Sequence, residues 1–587
     1  MKQKMCKRWL RDFQAFFLSV ILALSVAAVL GCSSSDDAVI APQKTVDVQV
    51  GHVTLTCAEY EDMVACRGIP YANPPVGDLR FAEPEIHDMW DDATPKTLDA
   101  TRFGSACVQD DGSGSEDCLF LNVFFPKDDP PAEGFPVMVW IHGGALIQGS
   151  SSVPGYDLPA LVKRGVIVVS INYRLNAFGF LPHPALEDPT GNFGLKDQAL
   201  ALNWVHEGIE FFGGDPGNVT IFGESAGGHS VLSLLVAGYG EPEAGDFVHK
   251  AIVQSGSYSP TQMSLPAGYY MLGAVFGDLN GFGVIPGFPS PIDGHCKGTD
   301  AEIRDCLRNL TVAEVIAIQK AAPTWAWITP VYQPSTFLPQ SIASAIQAGE
   351  IMNVPIMIGS NLNEGSLFTG LFYSLYGGFA TLDNLKAGVN DLLVADTRHY
   401  SRAAVAEFYR DEAVDIYGDN ANKYRNAHSM IFTDATFSCN ALAHAIALAP
   451  RQSTYSYWFT DVDAPINQAY SSLGALSPLF NLGEYGLGAS HSFEIQYIFG
   501  DLQNHPAATA DQKDLSERMI DYWANFAKDG APGGGWMAYN GTNIRELNPI
   551  GDSNASALEF MAAHYCGCWA DPGSEPCWPV IMIPAGK

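Results

Sequence analysis

The sequence predicts an α/β fold, a large and mostly parallel central sheet flanked by helices in a single domain, and three observations carry that prediction. Short apolar runs bounded by turn residues read as strands buried on both faces: Pro136-Val-Met-Val-Trp-Ile141, Val219-Thr-Ile-Phe222, Val354-Pro-Ile-Met-Ile358 and the aromatic Thr454-Tyr-Ser-Tyr-Trp-Phe459. Each is followed by a loop rich in glycine and polar residues, the pattern of functional groups gathered at the carboxyl ends of parallel strands. No Pro/Ser-rich linker or internal repeat interrupts the span from Gly68 to Gly500. Length alone would suggest about four domains. The continuity of the motifs argues instead for one, and 47% apolar residues suffice to fill its core.

The elements follow in chain order. Lys2, Lys4, Lys7, Arg8 and Arg11 precede an apolar run over residues 13–30, and Val29-Leu-Gly-Cys32 resembles a bacterial lipobox. The expected layout is a lipoprotein signal peptide over 1–31, lipidation of Cys32, a flexible tether over 32–46 beginning Ser33-Ser-Ser-Asp-Asp37, and a folded domain over 47–587. Ser33, rather than aspartate, after the cysteine favours the outer membrane of a Gram-negative cell. The competing readings are an uncleaved anchor or an ordinary secretory signal. No later stretch resembles a transmembrane helix. A formal charge of −32 excludes nucleic acid and polybasic membrane attachment as partners, and fits solubility or tolerance of salt.

The strand at Val219 breaks at Gly223-Glu-Ser225-Ala-Gly227 and leads into a small-residue helix. Such a turn exposes the serine oxygen at the carboxyl end of a sheet, beside a helix N-terminus. In a chain with 57 glycines about 0.4 such pentapeptides arise by composition alone, so the motif counts only with its context and partners. Upstream, the strand ending at Ile141 runs into His142-Gly143-Gly144-Ala145, a loop whose N–H groups can face a developing oxyanion. Downstream, the strand ending at Ile358 opens into Gly359-Ser-Asn-Leu-Asn-Glu364-Gly365, and the aromatic strand is followed by Gly488-Ala-Ser-His491. Ser, then Glu, then His is the order that α/β-hydrolases use. A carboxylate in a Gly/Asn loop is ordinarily a solvated turn residue, the competing reading for Glu364. Among 14 histidines, His142 and His229 compete with His491, packing or loop support being the expected role of both.

Several further stretches resemble the type-B carboxylesterase and cholinesterase family. Gly68-Ile-Pro-Tyr-Ala-Asn-Pro-Pro-Val-Gly77 with Leu79-Arg-Phe81 is similar to its N-terminal segment, and Ser115-Glu-Asp-Cys-Leu-Phe-Leu-Asn-Val123 to one of its signatures. The run from Phe212 to Gly227 fits a second, preceded by Asn172-Tyr-Arg-Leu175 and Gly191-Asn-Phe-Gly-Leu-Lys-Asp-Gln198; Phe493-Glu-Ile-Gln-Tyr-Ile-Phe-Gly500 looks like the segment after its histidine. The resemblance implies an α/β-hydrolase fold in one catalytic domain and a serine carboxylesterase working through an acyl-enzyme without a cofactor or metal. Ser225 would be the nucleophile, His491 the base and then acid, and Glu364 its orienting carboxylate. Gly144, Ala145 and Ala226 would supply the oxyanion N–H groups, Ala145 standing where many relatives carry glycine. Arg80 with Glu116, and Arg174 with Asp197, occupy positions of structural ion pairs.

Setting Cys6 and Cys32 aside leaves ten cysteines, an even number in an export-targeted chain, which predicts disulfides. The resemblance suggests Cys107–Cys118 and Cys296–Cys306, and proximity in sequence suggests Cys57–Cys66. Cys439 resembles a cysteine that bridges to the C-terminal region, with Cys566, Cys568 and Cys577 left to provide its partner and one further local bridge. A metal site of those three with His564 is the alternative.

Residues 108–117, Val-Gln-Asp-Asp-Gly-Ser-Gly-Ser-Glu-Asp, contain no aromatic. In cholinesterases the corresponding loop carries a tryptophan for quaternary ammonium, and in the family's fungal lipases it is a long apolar lid. Choline esters and interfacial lipase action are therefore disfavoured, and the expected substrate is a small soluble ester of short acyl chain. A lipase or sterol-ester hydrolase is the alternative, and a non-catalytic cell-surface binding protein on the same fold a more distant one. Trp325, Trp327, Tyr332 and Phe337 are candidates for the pocket wall, with core packing the plainer role. Residues 265–294, rich in Gly, Pro, Tyr and Phe, are candidates for a wall of the substrate gorge, with a surface insertion the plainer reading.

Overall fold

Strands with no polar face cannot lie at a surface, and here they collect in the middle of one 13-stranded sheet. The computed structural model describes residues 42–90, 94–156, 159–238, 247–258, 262–279, 294–322, 328–371, 379–392, 402–466 and 487–566. The signal peptide over 1–31, Cys32, most of the 32–46 tether, Trp325, Trp327, Cys568, Cys577 and residues 280–293 lie outside the described residues.

The strands are β1 (Lys44–Val50), β2 (Val53–Glu59), β3 (Met63–Pro70), β4 (Lys96–Ala100), β5 (Phe120–Pro126), β6 (Phe135–Ile141), β7 (Ile167–Ile171), β8 (Gly214–Glu224) and β9 (Lys250–Gln254), then β10 (Met263–Ser264), β11 (Val331–Tyr332), β12 (Ile356–Asn361), β13 (Thr454–Phe459), β14 (Ile544–Leu547) and β15 (Ser553–Ala555). The main sheet runs β1-β2-β3-β5-β7-β6-β8-β9-β12-β13-β14-β15, with β4 on β2, while β10 and β11 form a separate pair. From β7 through β14 every neighbouring pair is parallel. The pairs from β1 to β7 along this order, and β14–β15, are antiparallel. Every residue of β7, β9, β12 and β13 is buried, polar members such as Ser170, Gln254 and Asn361 included. β1 alternates toward its end, so that one face is covered and the other wet.

Some boundaries differ from expectation. β1 begins at Lys44, three residues before the expected domain start at 47, because it pairs with β2 from Lys44↔Glu59 to Val50↔Val53. β12 begins at Ile356 and continues through Gly359-Ser-Asn361, which read as loop; pairing with β13 out to Asn361↔Phe459 carries these polar residues as strand. Residues 265–294 correct the reading as a surface insertion over their described part. Leu265–Gly268, Tyr269–Gly273 and Ala274–Phe276 are successive helical turns, with Leu265, Tyr269, Tyr270, Leu272 and Phe276 buried.

Disulfides join Cys57–Cys66, Cys107–Cys118, Cys296–Cys306 and Cys439–Cys566. Four bridges mark a protein that folds in an oxidising compartment, and so an exported one. The metal alternative loses one of its donors, because Cys566 is spent on Cys439; His564 Nδ1 lies 2.8 Å from Asp434 Oδ1. Arg80 meets Glu116 through Nε and Oε2 at 2.7 Å. Arg174 grips Asp197 with Nε–Oδ2 at 2.8 Å and Nη2–Oδ1 at 2.7 Å, tying the loop after β7 to the helix Phe193–Gly208. Both partners of that second pair are buried, so removing one strands a charge. Arg174→Ala should therefore destabilise by about 3–5 kcal/mol in denaturant titration. Lys423→Ala, which deletes an exposed ion pair with Asp419, should leave the midpoint unmoved. Equal effects would contradict this account.

Candidate active site

Ser225 joins β8 to the helix Ala226–Ala237 with φ 55° and ψ −122°, a strained conformation for a residue with a side chain and one that costs about 1–3 kcal/mol. The turn is held from outside. Ser225 N–H donates to Gln254 O at 2.9 Å, and the glycine that follows lies so close to β6 that a Cβ on Gly227 would sit 1.9 Å from Ile141 O. Only glycine fits there. The serine itself is partly exposed while its neighbours are buried, as a nucleophile open to a substrate must be.

The loop after β6 folds against this turn: a Cβ on Gly143 would meet the Ser225 Cβ at 3.1 Å. Gly144 at φ 109° and Ala145 at φ 56° turn the chain in the left-handed region, and their N–H groups donate to no acceptor among the described residues. Ala226 opens the helix, where N–H groups have no intrahelical partner. His142 is buried, stacked on Tyr173 at 4.5 Å and held neutral by burial, which pushes it down to about 4. His229 is likewise buried, stacked on Tyr258 at 4.6 Å, and pushed down to about 4. Both pack rather than titrate near neutrality.

Glu364 is 0% exposed, which removes the solvated-turn reading. Its Oε1 accepts from Asn361 N–H at 2.8 Å and from Ser255 Oγ at 2.6 Å, and its Oε2 pairs with His491 Nδ1 at 2.6 Å. A carboxylate only accepts, so Nδ1 carries a proton, and in the neutral ring the lone pair is on Nε2, the atom a serine base must present. That atom has no hydrogen-bond partner among the described residues and lies 3.1 Å from Glu224 Oε1, the side chain preceding Ser225. The loops bearing Glu364 and His491 are laced together: Asn363 N–H donates to Ala489 O at 2.9 Å and Asn361 Nδ2 to Ser490 O at 2.7 Å. The rings of Phe368, at 4.9 Å, and Phe437, at 4.7 Å, cover the imidazole.

Burial opposes the charged form of His491, but the charges of Glu224 and Glu364 and the hydrogen bond that His491 donates to Glu364 outweigh it and raise the imidazole to about 9. Burial also pushes the carboxyl of Glu224 well above its usual range. Glu494 is pushed up to about 7, chiefly by burial and then by the charge of Glu364; it accepts from Asn361 Nδ2 at 2.6 Å and Gln254 Nε2 at 3.2 Å.

Sequence reasoning missed Glu224, Ser255, Phe368, Phe437 and Glu494. Ser255 follows a strand whose place between β8 and β12 only the fold reveals. Phe368 stands one helical turn beyond Glu364, whereas nothing in the sequence points to Phe437. Tyr332 and Phe337 pack, partly buried, against the main core, the plainer role expected of them.

The carboxylesterase family pattern matches residues 42–569. The chain is 33% identical over 496 residues to para-nitrobenzyl esterase of Bacillus subtilis (strain 168), covering 81% of this chain and 88% of that one. It is 32% identical over 542 residues to acetylcholinesterase of Danio rerio, covering 84% and 81%. Among solved structures, PNB esterase superposes with a TM-score of 0.65 at 30% identity, over 89% of this chain and 99% of its own. With this coverage from end to end of the described sheet, the chain belongs to the carboxylesterase family and is a carboxylic ester hydrolase of the serine type.

Proposed function

We propose that Ser225, His491 and Glu364 form the catalytic triad of this esterase and that its substrates are small soluble esters of short acyl chain. The observation that carries the triad is the buried 2.6 Å contact between His491 Nδ1 and Glu364, with the free Nε2 turned toward the residue beside Ser225. As Ser225 Oγ attacks the ester carbonyl, its proton passes to His491 Nε2, and the carbonyl oxygen becomes an oxyanion facing the N–H groups of Gly144, Ala145 and Ala226. His491 returns the proton to the leaving alkoxide, releasing the alcohol and leaving Ser225 acylated. Water, deprotonated by the same nitrogen, attacks the acyl carbon, and the acid departs as the proton returns to Ser225. Glu364 holds the tautomer and balances the imidazolium formed at each attack.

The substrate reading rests on two features. The 107–118 loop is short and polar and is tied to the oxyanion loop, Gly149 N–H donating to Gln109 Oε1 at 2.7 Å and Gln109 Nε2 to Gly149 O at 3.0 Å. Phe368 and Phe437 pack on the imidazole of His491, at 4.9 and 4.7 Å, which supports a short acyl pocket. For the N-terminus the reading is a signal peptide over 1–31 and a lipid on Cys32, tethering the enzyme to the outer membrane of a Gram-negative cell; the lipobox-like Val29-Leu-Gly-Cys32 supports it.

Ser225→Ala and His491→Ala should each remove nearly all turnover, at least 10³-fold, with the double variant little worse than either, because residues acting as a unit are not additive. Multiplying losses would contradict the triad. In a nitrophenyl-ester series from acetate to palmitate, kcat/KM should peak between about two and six carbons, each further methylene gaining at most about 0.8 kcal/mol where the pocket can hold it. A peak at twelve or more carbons, or a jump above the solubility limit, favours the lipase alternative. Cys32→Ser should shift the protein from the membrane fraction to an unprocessed or soluble form; unchanged fractionation, with no lipid on the native chain, would refute the anchor.

A further inference from the structure

Between the helices Lys423–Phe432 and Cys439–Leu448 the chain opens into a π-helix, Thr433–Ser438, all six residues of which are buried. Such a widened turn is less stable than α-helix and persists where outside contacts fix it. One side of it touches the active site. Thr433 Oγ1 accepts from the N–H of Gly365, the residue after Glu364, at 2.9 Å; Ser438 Oγ accepts from Ser360 Oγ at 3.2 Å; and Phe437 lies 4.7 Å from His491 and 5.7 Å from Phe368.

Its other contacts run to the C-terminal segment. Asp434 Oδ1 accepts from His564 Nδ1 at 2.8 Å, and Oδ2 from Tyr409 Oη at 2.9 Å. Cys439, directly after the turn, is bonded to Cys566, and Tyr565 Oη donates to Glu412 Oε2 at 2.7 Å. The two attachments bracket Phe437, one three residues before it and one two residues after. Asp434 and His564 are each 2% exposed, so this pair is not a surface contact that water could replace. Were the extra residue of the π-turn absorbed into α-helix, everything beyond it would rotate by about 100° about the axis, carrying Phe437 away from the imidazole.

We propose that the segment His564–Cys566 is a positioning element of the ester-hydrolysing site: through Asp434 and Cys439 it fixes the π-turn, and through the π-turn the ring of Phe437, which sets the length of acyl chain admitted beside His491. This rests on the triad reading above. Without the ring the pocket deepens, and without the attachment the ring no longer holds its place.

The test is the ratio of kcat/KM for nitrophenyl octanoate to that for nitrophenyl butyrate. Phe437→Ala should raise the ratio by at least tenfold. His564→Gln and the double variant Cys439→Ala/Cys566→Ala should raise it in the same direction by several-fold, and His564→Gln should add little to Phe437→Ala. Removing Cys57 and Cys66, a bridge far from the π-turn, should leave the ratio at the wild-type value even where the protein melts earlier. Circular dichroism at the assay temperature selects variants that remain folded, and His564→Gln with the bridge intact supplies the measurement should the cysteine variant not fold. An unchanged ratio in folded His564→Gln would overturn the positioning role, and an unchanged ratio in Phe437→Ala would overturn the assignment of the ring. Wild-type turnover that survives Ser225→Ala would instead sink the triad reading on which both depend.

Discussion

The contact between His491 Nδ1 and Glu364 is where the rest of the molecule converges. Its partners, 127 residues apart in sequence, come from loops after two adjacent parallel strands, β12 and β13. Holding them at 2.6 Å requires the sheet to fix both strand ends, Asn361 and Asn363 to bind one loop to the other, and Ser255, from the next strand over, to fill the second oxygen of the carboxylate. A buried carboxylate with fewer donors would lose more in desolvation than one histidine could return. The parallel core thus serves chiefly to bring four carboxyl-end loops, after β8, β9, β12 and β13, to one point.

That point carries an excess of acid. Glu224, Glu364 and Glu494 are all buried around a single imidazole, and burial pushes Glu224 and Glu494 up toward their neutral forms. The same carboxylates raise His491, so the group proposed as the base holds a proton more tightly than a free histidine would. Such an arrangement favours the imidazolium that forms as a serine is deprotonated, at the expense of the free base in the resting enzyme. The neighbouring histidines show the contrast: His142 and His229, buried without a carboxylate partner, are pushed down and stay neutral.

Much of this was legible in the sequence because it depends on local chemistry. A strand that stops at Gly-x-Ser-x-Gly, a Gly-Gly loop after an apolar strand, and a carboxylate just past another each announce themselves within ten residues. The residues that escaped act across the fold. Ser255 is an ordinary serine until β9 is known to lie between β8 and β12, and Phe437 an ordinary core aromatic until the π-turn is known to face His491. Over 265–279 the Gly and Pro content suggests loop, but burial of Tyr269, Tyr270 and Phe276 overrides that preference. Cys439 posed a choice among three partners that only the path of the C-terminal segment could resolve, in favour of Cys566.

The central claim, that His491 held by carboxylates activates Ser225, is tested most directly by the pH dependence of covalent labelling with a fluorophosphonate, followed by peptide mass spectrometry. The account predicts a single adduct on Ser225, formed at a rate that falls as pH drops through the raised pKa of His491. Because Glu224 helps to raise that pKa, the fall should move to lower pH in Glu224→Gln. An adduct on another residue, or a labelling rate indifferent to pH and to His491→Ala, would contradict it.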